Sequence, residues 1–212
     1  MTEESERGES KTERATLACI AFANTMCNYH ADDTADVLNS YTDLVRWAQE
    51  AEILSAEEAR RLLERASHRP GEAKSVLKDA KQLRRTIYNI FSDIAHMRAP
   101  SDEDVAELNS RLTKVQSHMQ ISQRGGDFFW DWEDKSNDLN GVLWSMVRCA
   151  ANLLCSGELG RVSGCNSETC TWLFLDRSKN VSRKWCDMGT CGNRAKSRRH
   201  YARTHGQAKA DA

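Results

Sequence analysis

Residues 164–194 read GCNSETCTWLFLDRSKNVSRKWCDMGTCGNR. Two C-x4-C pairs, Cys165 with Cys170 and Cys186 with Cys191, stand fifteen residues apart. Paired cysteines in a reduced compartment mean metal more often than disulfide, and four thiolates suit a closed tetrahedral zinc site that is structural rather than catalytic. Between the pairs, 172–176 predicts a strand, 177–180 a turn and 181–186 the return strand. Cys191 then opens a basic helix over 192–204. Knuckle, hairpin and a metal pair at a helix start form a treble-clef-like order. So short a module has too little core to fold alone. Zinc supplies the missing free energy, on the order of 10 kcal/mol in zinc peptides. Trp172, Phe174 and Trp185 are expected to cluster beside the metal. His200 and His205 are the alternative ligands, but they lie beyond the helix start.

The same segment concentrates positive charge. Ten Lys/Arg face three acids over 161–205, a net +7, whereas residues 1–160 carry a net −8. Helix residues Arg194, Lys196, Arg198, Arg199 and Arg203, with Arg177, Lys179, Arg183 and Lys184 of the hairpin, are candidates to grip a polyanion. Arg194 and Arg198 share one helical face, and Lys196, Arg199 and Arg203 another. Arg194, in the first turn, occupies the position from which recognition helices contact bases. Asn193 reads first as a cap or bridge of the metal loop and otherwise as a partner for adenine. Gly192 reads as the residue that lets the backbone approach a cysteine sulfur. The competing reading is a solvated helix face docked on the acidic body; combined with the first, the body would cover the finger until a ligand releases it.

Moving toward the N-terminus, helical periodicity dominates. Tyr41, Leu44, Val45 and Ala48 share a face within 40–52. Ser55 and Glu58 have capping-box spacing ahead of Leu62, Leu63 and Ala66. Pro70 breaks that helix and fits the first turn of the next. A long amphipathic helix follows over 73–97, with Val76, Leu83, Ile87, Ile90 and Phe91, and Pro100 is its expected stop. Ser101 and Asp104 start another helix, with Val105, Leu108, Leu112 and Val115 on one face. Residues 119–133 predict a β-hairpin around Gly125-Gly126. Residues 138–156 return to helix, stopped at Gly157. The type of the apolar stretch 17–25 is open. Cys19, Cys27, Cys149 and Cys155 read as small buried hydrophobes.

Fold class is therefore mainly α with a small β-hairpin (α+β). The expected divisions are a disordered tail at 1–13, a helical body at 14–160, the finger at 161–206 and a tail at 207–212. No apolar run approaches the roughly 20 residues of a membrane span. Residues 2–13 lack the basic start and apolar centre of a secretory leader, so a cytoplasmic location is expected. No phosphate-binding glycine loop, H-E-x-x-H or nucleophile elbow is present in the sequence. Cys27 with His30 is a weak thiol-enzyme pair without a third partner. Trp130, Trp132, Trp144, Phe128 and Phe129 read chiefly as core, and otherwise as the lining of a ligand pocket to which Asn24, His30 and Asp32 add polar groups.

The run Phe174-Leu-Asp176-x-Ser178-x-Asn180-x-Ser182-Arg183-x-Trp185-Cys186-x4-Cys191-Gly192-Asn193-Arg194-x-Lys196 resembles the CGNR zinc finger, densely over about 35 residues. The body resembles the ABATE domain through Phe22-Ala-Asn24-Thr25, Leu44-Val-x-Trp47-Ala48, Leu83-Arg84-x3-Tyr88-x-Ile90-Phe91 and Leu108-Asn109. Residue 23 is Ala where that family often carries a larger aliphatic. The resemblance implies a bacterial, stress-response transcription regulator that binds zinc and duplex DNA. A small-molecule effector and a homodimer are compatible with it. The rival expectation is an RNA-binding or protein-docking zinc module, and an enzyme is a distant third.

Overall fold

The computed structural model describes residues 11–26 and 36–206. Cys27, His30 and Asp32, named above, lie outside the described residues, as do both tails except 11–13. Residues 11–13 open helix α1, Lys11–Ala23, which also takes up most of the apolar stretch whose type was open.

Helix α2, Tyr41–Glu50, starts at a reciprocal capping box between Ser40 and Asp43, and α3, Ala56–His68, at the one between Ser55 and Glu58. Each box satisfies two backbone donors that a helix start leaves without partners. Pro70 is the first residue of α4, Pro70–Ala95. This 26-residue helix is about 39 Å long at 1.5 Å per residue. It ends five residues before Pro100, not at it. Met97 turns left-handed (φ 56°), its N–H donates to Ile94 O at 2.9 Å, and Arg98 N–H donates to Asp93 O at 2.8 Å. That pair of bonds is a Schellman closure. Glu52 (φ 57°) closes α2 in the same way, through Glu52 N–H to Gln49 O and Ile53 N–H to Ala48 O.

Ser101 caps α5, Asp102–Gln116, which buries Leu108 and Val115; Val105, expected on that face, is exposed. Strands β1, Met119–Arg124, and β2, Asp127–Trp132, pair antiparallel about Gly125 and Gly126, both at positive φ as a two-residue hairpin turn requires. A 3₁₀ turn, Lys135–Asn137, leads into α6, Gly141–Leu154, which is buried along most of its surface.

One hydrophobic core results. Phe22 and Cys19 of α1, Leu83, Ile87, Ile90 and Phe91 of α4, and Met146 and Leu153 of α6 are all fully buried. Cys149 is buried beside Cys19, whose N–H donates to its sulfur, but Cys155, expected inside, is exposed. The aromatics divide too. Trp144 is buried, Trp132 half-buried, and Phe128 and Trp130 are exposed.

The finger hairpin differs from expectation. Strand β4, Leu173–Leu175, pairs antiparallel with β3, Val162–Gly164, rather than with 181–186, which is not a strand. Val162, Leu173 and Leu175 join the core of the body. A π-helical turn, Met188–Gly192, precedes α7, Asn193–Gly206. No described helix is long and apolar enough to cross a membrane.

Candidate metal centre and basic helix

Cys165 follows β3, Cys170 precedes β4, Cys186 ends the 177–186 loop, and Cys191 lies in the π-helical turn. Their four Sγ atoms all fall within 4.8 Å of one another. Cys186 Sγ is 3.7 Å from Cys170 Sγ and 3.7 Å from Cys191 Sγ. A tetrahedron with Zn–S bonds of about 2.3 Å has edges of about 3.8 Å, so the donor set fits zinc in both chemistry and spacing. Among the described residues no histidine belongs to the cluster.

The sequence folds this way because short polar side chains shape each loop. Asp176 is buried, and its carboxylate accepts from Ser178 N–H at 2.8 Å and Arg183 N–H at 2.7 Å, which folds the loop back toward Cys186. Asp187 accepts from Thr190 N–H at 2.7 Å and from its hydroxyl at 2.9 Å, forming the turn between the second pair of cysteines. Cys165 is buried enough to raise its pKa, but hydrogen bonds from the backbone of Cys186 and Ser167 outweigh that and hold it low. Burial raises Cys170 to about 11 despite a hydrogen bond from Trp172 N–H, and burial followed by its cysteine neighbours raises Cys186 further. Four thiolates gathered without a cation repel one another, and a divalent metal relieves that repulsion.

A Cβ at Gly192 would stand 2.8 Å from Met188 Sδ and 3.3 Å from Trp185 Cδ1, so the absence of a side chain there makes room for these two neighbours. Asn193 bridges the metal loop as expected, its Nδ2 donating to Gly189 O at 3.1 Å. The expected aromatic cluster is looser. Phe174 is buried under the Arg183 guanidinium, 4.6 Å from the ring centroid, while Trp172 is exposed.

The nine basic candidates occupy distinct positions. Arg183 turns onto the metal loop and donates to the carbonyls of Trp185 and Cys186. Arg194 donates to Thr169 Oγ1 at 3.1 Å and Arg198 pairs with Glu168 at 2.7 Å, so this face of α7 is tied to the first knuckle. Lys196 and Arg199 lie on the other face and are exposed, as are Arg177, Lys179 and Lys184 of the loop. The side chain of Arg203 lies outside the described residues.

Asn24, expected to be a polar pocket group, instead binds the backbone of Leu173 through two hydrogen bonds. Its sequence neighbour Thr25 accepts from Arg84, which is buried and paired with Asp36 at 2.6 and 2.9 Å. Residues 149 apart leave no periodic signal in a sequence, so spacing offered no clue to the first of these contacts.

A helical body joined through a shared core to a four-cysteine finger defines a two-part zinc-finger protein. Residues 17–157 match the ABATE family, described as "putative stress-induced transcription regulator", and residues 161–204 match the CGNR zinc finger. The chain belongs to the ABATE family and carries a CGNR zinc finger at its C-terminal end. The family match and the four clustered cysteines support zinc binding. Both families are regulatory or zinc-finger families rather than enzyme families. A comparison with curated proteins gives no match.

Proposed function

We propose that this protein is a cytoplasmic, zinc-dependent transcription regulator without catalytic activity. Its finger binds duplex DNA and its helical body acts as a sensor or dimerisation domain. Cys165, Cys170, Cys186 and Cys191 hold the zinc, which supplies a fixed fourfold crosslink among the end of β3, the approach to β4, the 177–186 loop and the π-helical turn that leads into α7. The observation that carries the proposal is the exposure of α7. Of its residues 193–201 only Ala195 is even half-buried, so the basic helix stands clear of the acidic body. That exposure also disfavours the reading in which α7 packs on the body.

Lys196, Arg199, Arg177, Lys179 and Lys184 are assigned to phosphates, where they supply affinity and salt dependence. Arg194 and Arg198 are assigned first to holding α7 on the knuckle, and to bases only if DNA displaces Thr169 and Glu168.

The test is fluorescence anisotropy on the full zinc-loaded chain, with a random duplex pool and a matched RNA at two salt concentrations. The expected result is a preference for DNA that weakens in salt, with a log–log salt slope reduced by roughly 2 in a Lys196→Ala/Arg199→Ala double variant. Equal or tighter RNA binding assigns the finger to RNA. Binding to neither assigns it to a protein partner.

A further inference from the structure

Residues directly opposite in the β1–β2 hairpin share a face, which places Met119 with Trp132, Ile121 with Trp130, and Gln123 with Phe128 on one side. The half of this face near the turn is bare. Ile121 is 64% exposed, Phe128 69% and Trp130 62%. Three large apolar side chains together form a patch of the size that on a folded monomer is often functional.

Under the other half lies Arg148 of α6. Its guanidinium carbon is 5.7 Å from the ring centroids of both Trp130 and Trp132, and its Nη1 is 3.6 Å from Met119 Sδ. The residue is half-buried, and burial alone lowers its pKa, with no carboxylate opposing the shift. Among the described residues it has no acidic partner, whereas the buried Arg84 has Asp36. A half-buried guanidinium set against two indoles without a counter-charge has lost part of its hydration and is electrostatically incomplete. The bare hydrophobic surface begins beside it.

We infer that the hairpin and α6 form a binding site for a small organic anion with a flat apolar body. The anionic group pairs with Arg148, and the apolar body lies across Trp130, Ile121 and Phe128. The flat shape follows from the wall, which is an indole and a pleated strand face, and the negative charge from Arg148, set against that wall with no acidic partner among the described residues. This deepens the sensor reading of the body and rests on it. It does not depend on the finger binding DNA.

The test uses the full zinc-loaded chain and needs no DNA. Probes are 1-naphthoate and its neutral counterpart 1-naphthamide, followed by tryptophan quenching and equilibrium dialysis. The expected result is saturable one-to-one binding of naphthoate, at least ten-fold tighter than the amide. Arg148→Gln should erase that preference, Arg148→Lys should keep part of it, and Trp130→Ser should weaken both probes. Circular dichroism and zinc content check that each variant is folded. Trp130→Ser alters an exposed side chain and so keeps the test valid if Arg148→Gln disturbs the hairpin. Absence of saturable naphthoate binding, or a charge preference that survives Arg148→Gln, overturns the proposal. A wild-type dimer in sedimentation that Trp130→Ser dissolves also overturns it and makes the face an interface between copies.

Discussion

Asn24 holds the backbone of Leu173 with both ends of its side-chain amide. Nδ2 donates to the Leu173 carbonyl at 2.8 Å, and Oδ1 accepts from the Leu173 N–H at 2.9 Å. Leu173 lies in β4, whose other edge is taken by β3. Asn24 therefore stands where a further strand would pair, a single residue closing an open sheet edge. It is also the first residue after α1, so the helix that contributes Phe22 to the core also fixes the strand between the two cysteine pairs.

Removing this amide leaves a donor and an acceptor of Leu173 without partners. Asn24→Ala is expected to lower stability by about 2–3 kcal/mol, counting two neutral hydrogen bonds and the desolvation of the orphaned groups. It should also speed zinc release to a chelator, because β4 is displaced between Cys170 and the loop leading to Cys186. Urea denaturation and a metallochromic indicator measure the two effects.

Asp36 joins Arg84 at 2.6 and 2.9 Å and Lys81 at 2.9 Å. Burial alone would raise the Asp36 carboxyl, but the hydrogen bonds from Arg84 and then Lys81 hold it well below the usual carboxylate range. Its stabilising effect is thus complete above the unfolded value of about 4 and is lost as pH falls below that toward the folded value. Asp36→Asn, which strands a buried guanidinium, should cost about 3 kcal/mol at pH 7. The gap between wild type and variant should narrow at pH 3, as read from urea midpoints.

The cysteines of the body should separate by reactivity. Cys19 is fully buried, and burial followed by its contact with Cys149 raises its pKa well above the ordinary thiol value, so little thiolate forms. Cys155 is exposed. Brief alkylation of the native zinc-loaded protein, read by peptide mass spectrometry, should label Cys155 and spare Cys19 and Cys149 until denaturant is added.

Arg198 and Glu168 form an exposed ion pair, 47% and 86% accessible. Such pairs contribute about 0–1 kcal/mol, so Arg198→Ala should leave the thermal midpoint nearly unchanged. Any large loss of nucleic-acid binding in that variant would then report a lost contact rather than a lost fold. A fall of many degrees would instead show that the pair stabilises the fold beyond placing α7.

How much of this was legible in the sequence depended on distance along the chain. Ser55 with Glu58, Pro70 at a helix start and the Gly125-Gly126 turn act within four residues of one another, and each was readable. The metal cluster was readable because its pairs are local. Helix ends were harder. Both α2 and α4 close in Schellman motifs whose left-handed residue is Glu52 or Met97, neither of which carries the glycine signal, and the later Pro100 drew the expected boundary outward. The strand pairing of the finger is hidden because β3 is only three residues, too short to show an alternation, while 181–186 follows an attractive turn sequence. The inward face of β4, the Asn24 contact and the Arg84–Asp36 pair join distant segments, and no local pattern encodes them.

The sharing of Val162, Leu173 and Leu175 with the core has a practical consequence for anyone wishing to transplant this finger. A fragment cut at residue 161 would carry a bare leucine face and an unclosed strand edge into solvent, and the metal would hold together a surface prone to self-association. A fusion that borrows the finger should therefore also borrow α1 through Thr25 and the part of α4 beneath the hairpin, or replace the two leucines with polar residues and offer a substitute for the amide of Asn24.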